Sequence, residues 1–127
     1  MSELLDMLLS EDCPNVLRKP PEKQVEIVSL SQRLGKKAVF TIRALPYGRV
    51  QELRRMDNDS TNLHIVLNGC AEPDWRDERL LNKDAGILTP LDAIQSRLLS
   101  GEIAELALEI ERLSGFRMSV VREVKNA

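Results

Sequence analysis

The side chains able to do covalent or metal chemistry are few and scattered. His64 is the sole histidine, and Cys13 and Cys70 are the two cysteines. A structural zinc site needs four donors, commonly at paired spacings such as CxxC. No CxxC or HxxxH occurs here. On a helix over 61–70, His64 shares a turn with Ser60 and Asn68. Cys70 falls on a different side of that helix, and Cys13 would have to fold onto it. A Cys–His nucleophilic pair meets the same objection, because the two must lie within hydrogen-bond reach. Gly35-Lys36-Lys37 lacks the upstream glycine and the following Ser/Thr of a phosphate-cradling loop. The acid clusters Asp57/Asp59 and Asp74/Asp77/Glu78 fall in turns and at helix starts, where the helix dipole favours acids. Capping accounts for them better than paired-carboxylate catalysis. The expectation is a chain that is not an enzyme and uses no cofactor or metal.

What remains is recognition. Net charge is -2, but it is unevenly spread. Residues 1–15 carry four acids (Glu3, Asp6, Glu11, Asp12) and no base. Residues 16–56 have a net charge of +7, and residues 57–127 a net of -5. Arg43, Arg49, Arg54 and Arg55 fall in the basic stretch and form a candidate patch for steering a partner. The asymmetry is equally consistent with basic and acidic parts packed together. Nucleic-acid binding calls for stacking aromatics among the bases or a recognition helix loaded with Arg and Lys. Only Phe40 and Tyr47 fall in the basic stretch, so this reading ranks low. Trp75 follows Pro73 and Asp74 in a turn. It is either a lid over the helix ends or an exposed anchor for a partner, a role in which tryptophan is over-represented.

The elements that position these residues follow from periodicity. Residues 2–9 place Met1, Leu4, Leu5 and Leu8 on one helical stripe, with Leu9 beside it and Ser2 as cap. Two turns of helix are unstable alone in water, so the stripe must dock, either on its own body or in a groove of another chain. Pro14, Pro20 and Pro21 mark the following segment as a linker. Residues 1–23 therefore read as a helical arm and Pro-rich linker, and residues 24–127 as a single domain.

Residues 24–28 and 38–45 alternate like strands, and Gly35 punctuates the connection, which has room for a helical turn. Beyond Leu45 the pattern is helical. Helices are expected over 47–56 with Pro46 at its first position, 61–70, 77–85 ended by Gly86, 90–98 capped by Thr89 with Asp92 at N3, and 101–113 capped by Ser100. A last short helix is expected over 119–124. In the 101–113 helix, Ile103, Leu106, Ala107, Ile110 and Leu113 are expected to face inward, while Glu102, Glu105, Glu109 and Arg112 are expected to stay wet. The fold class is α+β: a small β-hairpin covered by about five helices.

Several features bound the compartment. The longest apolar run is three residues, far short of the ~20 needed to span a bilayer. The first residues are acidic, unlike a secretory signal. The cytosol is the expected location, with both cysteines as free thiols.

The ordered segments carry a resemblance. Val25-Glu26-Ile27, Leu34-Gly35 and Phe40-Thr41-Ile42-Arg43-Ala44-Leu45 follow the Leu-rich helix and linker. Gly69, Glu72-Pro73-Asp74, Thr89-Pro90, Leu98-Leu99 and Gly101-Glu102-Ile103 come next. Leu113-Ser114-Gly115-Phe116 and Val124-Lys125-Asn126 close the chain. Together these resemble the XkdN-like phage tail assembly chaperones. The resemblance implies a helper of tail morphogenesis in the host cytoplasm, absent from the finished particle. It implies the tape measure protein as partner, and the tail tube protein as a second partner through a frameshifted, extended form. Self-association is left open, and no membrane is involved. The alternative is a minor structural tail protein or, less favoured, a nucleic-acid-binding regulator. The leucines Leu4, Leu5, Leu8 and Leu9 are the best candidate for holding an apolar partner helix.

Overall fold

The computed structural model describes residues 2–56, 60–116 and 119–124. The arm is helix α1, Glu3–Leu9, whose Ser2 hydroxyl accepts the Leu5 N–H at 3.3 Å. A linker leads to strand β1, Glu22–Glu26, followed by helix α2, Val28–Leu34, and strand β2, Val39–Arg43. β1 and β2 pair antiparallel, Glu22 opposite Arg43 and Glu26 opposite Val39. The expected hairpin is present, shifted so that Val28 starts the connection rather than ending a strand. That connection is a helix of seven residues, ended by Gly35 at φ +73, the left-handed position that glycine adopts without strain.

Helix α3, Tyr47–Arg55, begins after Pro46, which stands at the cap rather than the first helical position. Helix α4, Thr61–Gly69, runs directly into strand β3, Cys70–Glu72. β3 pairs antiparallel with β2 through an irregularity between Thr41 and Ile42, giving the order β1-β2-β3. A three-residue strand at a helix end has too little alternation to announce itself in a sequence.

The helix expected over 77–85 is instead two short 3₁₀ turns, Glu78–Leu80 and Lys83–Ala85, with a bridge between Asn82 and Ile87. Local side chains compete with a continuous helix there. The Asp77 carboxylate accepts the Arg79 N–H, and the Asn82 amide oxygen accepts from Asp84 and Ala85. Helix α5, Pro90–Arg97, has the capping box read from the sequence: the Thr89 hydroxyl accepts the Asp92 N–H and the Asp92 carboxylate accepts the Thr89 N–H, both at 3.1 Å. Helix α6, Ser100–Leu113, is the longest element among the described residues. Residues 119–124 form no helix: Val120, Val121 and Val124 stay exposed and no stripe is buried. The break expected at Asp57–Asp59 lies outside the described residues.

The core sits between the inner face of the sheet and the α4–α6 pair. Ile42, Val66, Ile94 and Ile110 are its largest fully buried side chains. α4 approaches α6 so closely that a Cβ on Gly69 would lie 2.6 Å from two Ile110 side-chain atoms. Any side chain at that position would force Ile110 to shift. At the far end of α6, the Ser114 hydroxyl takes the Leu45 N–H at 2.9 Å and donates to the Ile110 carbonyl at 2.7 Å, tying the exit of β2 to the helix terminus.

Candidate interaction surfaces

The leucines of α1 are placed as the spacing predicted, and none is covered. Leu4, Leu5, Leu8 and Leu9 are 61%, 52%, 57% and 76% exposed. The linker is ordered by local turns. The Ser10 hydroxyl donates to the Met7 carbonyl at 2.8 Å, and the Asn15 side-chain oxygen accepts the Leu17 N–H at 3.0 Å. Cys13 is exposed on this linker.

The four candidate arginines do not form one free patch. Arg43 on β2 donates from Nε to the Asn68 carbonyl at the end of α4, at 3.1 Å. Arg49 pairs with Glu52 at 2.7 Å within α3. Arg54 lies over the Phe116 ring, 4.8 Å from its centroid. Arg55 is exposed at the end of the same helix.

Trp75 is 4% exposed. Its ring lies 6.3 Å from Phe40, centroid to centroid, on the core side of β2. The exposed-anchor alternative therefore does not describe it, and Trp75 is a packed lid. Cys70 is buried beside it, and burial pushes its thiol up to about 11, against opposing effects of Trp75 and Arg43. A thiol held protonated in this way is a poor nucleophile.

Glu102 also departs from expectation: it is buried, not wet. Arg33 on α2 grips it with two hydrogen bonds, Nη1 to Oε2 at 2.7 Å and Nη2 to Oε1 at 2.9 Å. Ser29 donates to the same carboxylate, and the Leu99 N–H donates to Oε1 at 2.7 Å. These donors, the Arg33 guanidinium foremost, hold the carboxyl down at about 2, with burial opposing them. Arg33 also reaches the Arg97 carbonyl at 3.3 Å, so one charge pair locks α2, the end of α5 and the start of α6 together. An acid two residues after Ser100 does signal a helix start. Nothing in the sequence pairs it with Arg33, 69 positions away.

Asp74 and Asp77 are engaged in turns. Asp74 accepts the Arg76 N–H at 3.0 Å, and Arg79 beside Asp77 holds that carboxyl at about 2. Among the described residues no group of three or more His, Cys, Asp or Glu could hold a metal ion. His64 is half-buried on α4.

Two apolar grooves were not visible in the sequence. One, of about 320 Å³, lies between the linker, the start of α3 and the end of α6, and includes Leu45, Pro46, Tyr47, Val50, Leu113 and Phe116. The other, of about 820 Å³, runs between α2 and α6, with Val25, Val28, Leu106 and Leu108 among acidic neighbours.

The structure is thus an α+β domain with an apolar helix left in water, and family comparison says what kind of protein it is. The family model described as phage XkdN-like tail assembly chaperone protein matches residues 5–127. The chain belongs to that family. The match takes in the arm from Leu5 onward as well as the body of this XkdN-like chaperone. Among solved structures, the crystal structure of the protein YqbN is similar, at 18% identity and a TM-score of 0.60, covering 86% of this chain and 94% of that one. At that identity the likeness supports the fold alone. No curated protein matches the chain. Among the described residues no helix is long and apolar enough to cross a membrane.

Proposed function

We propose that this XkdN-like chaperone acts in the host cytoplasm by holding apolar helices of the tape measure protein while the tail tube assembles around it, without making or breaking covalent bonds. The observation that carries the reading is the exposed leucine stripe of α1. Four leucines on seven residues are left in water, on an element that contributes nothing to the core. An amphipathic helix of this kind binds by laying its apolar face against another helix or into a groove. Family membership supplies the partner class, a tail protein. The arginines of α3 flank the linker side of the body and would bias the approach of an acidic partner surface. The tail tube protein is a second partner, recruited once the tape measure protein is held.

The test is co-expression of the tape measure protein with the full chain and with a Leu5→Asp/Leu8→Asp variant. The wild type keeps the tape measure protein in the soluble fraction and co-purifies with it, and the variant loses both effects. Equal capture by both proteins would overturn the reading.

A further inference from the structure

We infer that, without a tail partner, the acidic leucine arm of one copy docks in the groove beside α3 of a second copy, and that the exchange is reciprocal. The inference concerns the idle state and does not depend on which tail protein the chaperone holds.

Shape and apolar character supply the first argument. The groove beside α3 is floored by Leu45, Val50, Leu113 and Phe116. It continues past Val50 and Phe116 into a second hollow of about 200 Å³ lined by Leu53 and Ile65. Tyr47 stands on its rim, 78% exposed. An elongated apolar trough with an exposed aromatic suits a leucine stripe better than a small polar molecule.

Charge selects the occupant. The arm carries four acids and no base over residues 1–15. The groove's own lining carries no charge, and the adjoining hollow adds Arg54 and Glu111; the linker and α3 around it carry Arg18, Lys19, Arg49 and Arg55 against Glu52. The larger α2–α6 groove is lined by acids: Glu26, Glu102, Glu105 and Glu109, with Arg112 the one base among its lining residues, although Glu102 is paired with Arg33 and Glu109 with Lys23 and Arg112. An acidic arm is attracted to the first groove and repelled by the second.

The linker argues for a second copy rather than the arm's own body. Ser10 bonds back to Met7, the Cys13 N–H to the Ser10 carbonyl at 3.2 Å, and Asn15 to Leu17. These turns project α1 with its leucines outward, and the linker's own Val16 and Leu17 form a wall of the groove. Folding back would require unmaking those turns, whereas a neighbour's arm enters with them intact.

The test is sedimentation equilibrium of the purified full chain over a concentration series. A reversible dimer is expected, its dissociation constant rising about tenfold when salt is raised from low to well above physiological. Two variants separate the halves of the contact. Leu5→Asp/Leu8→Asp removes the arm's stripe. Tyr47→Asp/Arg49→Glu alters Tyr47 on the groove rim and Arg49 two residues further along α3, both exposed, leaving the core untouched. Each alone should be a monomer with wild-type circular dichroism. Mixed, they should form a heterodimer through the one intact arm and the one intact groove. A fluorophore on the exposed Cys13 reports the pairing, because Cys70 is buried. A monomeric wild type, a dimer that persists in either variant, or a mixture that stays monomeric would overturn the inference. A monomer whose Cys13 signal changes on altering Tyr47 would place the arm in its own groove instead, and would overturn it equally. Neither result bears on capture of a tail protein, so the two proposals fail separately.

Discussion

Residues 3–9 hold four leucines and bury none of them, whereas α6 buries Ile103, Leu106, Ala107 and Ile110 against its neighbours. The same amphipathic periodicity thus has two outcomes in one chain. In α6 the stripe is matched by Gly69 and Val66 of α4 and Ile42 of β2, and its acid at the start is clamped by Arg33. In α1 the stripe meets no such surface. A buried apolar side chain is fixed by the rest of the fold, but an exposed one on a tethered helix can be given to another chain. The comparison predicts that substitutions in α6 and its contacts unfold the protein without bearing specifically on partners. Substitutions in α1 should do the reverse.

The largest effect is expected from Ile110→Ala. It empties a fully buried site at the α4–α6 crossing and should lower stability by about 3 kcal/mol, read from chemical denaturation. A loss under 1 kcal/mol would mean that the crossing is loosely packed. Next comes Glu102→Ala, which leaves Arg33 without its partner and strips an acceptor from Leu99 and Ser29. Breaking such a pair costs about 3 kcal/mol where it is fully buried, and somewhat less here because Arg33 is partly exposed.

Glu102 also predicts a pH dependence. Its carboxyl sits at about 2 in the folded chain against an ordinary 4.5. The unfolded chain therefore binds more protons through that interval. The stabilisation is fully present above about 4.5 and is lost as pH falls toward 2. Glu102→Gln should flatten that part of the acid-unfolding profile. An unchanged slope would show that the clamp does not form in solution.

Gly69→Ala ranks third. The added methyl meets Ile110 and should destabilise by about 1–3 kcal/mol through overpacking. The smallest effect on stability belongs to Leu5→Asp/Leu8→Asp, which, measured at protein concentrations where the wild type is monomeric, should change it by less than about 0.5 kcal/mol, as exposed sites do. A larger loss would mean that the arm is docked on its own body, and the contrast between arm and core would collapse.

How much of this was legible follows the range of each signal. The α5 start was written locally, in Thr89-Pro90-Leu91-Asp92, and the α6 stripe in its 3.6-residue repeat. Both stand where the spacing placed them, and so does the hairpin within two residues. Most of the signals that failed were non-local. Strand β3 exists because β2 offers it an edge, not because Cys70-Ala71-Glu72 has a pattern. Glu102 looked like a wet helix residue because Arg33 is far off in sequence. Residues 77–85 lacked a clear stripe, and Asp77 and Asn82 turned the chain locally instead. For the interaction surfaces, the leucine stripe was readable and is exposed. The grooves were not readable, since each joins side chains from segments far apart in the chain. Of the arginines, Arg43 is drawn to the Asn68 carbonyl while Arg49, Arg54 and Arg55 stay exposed on α3, and Trp75 is packed into the core.

The claim that the arm is held in reserve for another polypeptide is tested most directly by measuring stability and partner capture on one variant. At concentrations where the wild type is monomeric, Leu5→Asp/Leu8→Asp should unfold at the wild-type denaturant midpoint yet fail to retain co-expressed tape measure protein. A variant that captures as well as the wild type, or that loses capture only because it has lost its fold, would contradict the account.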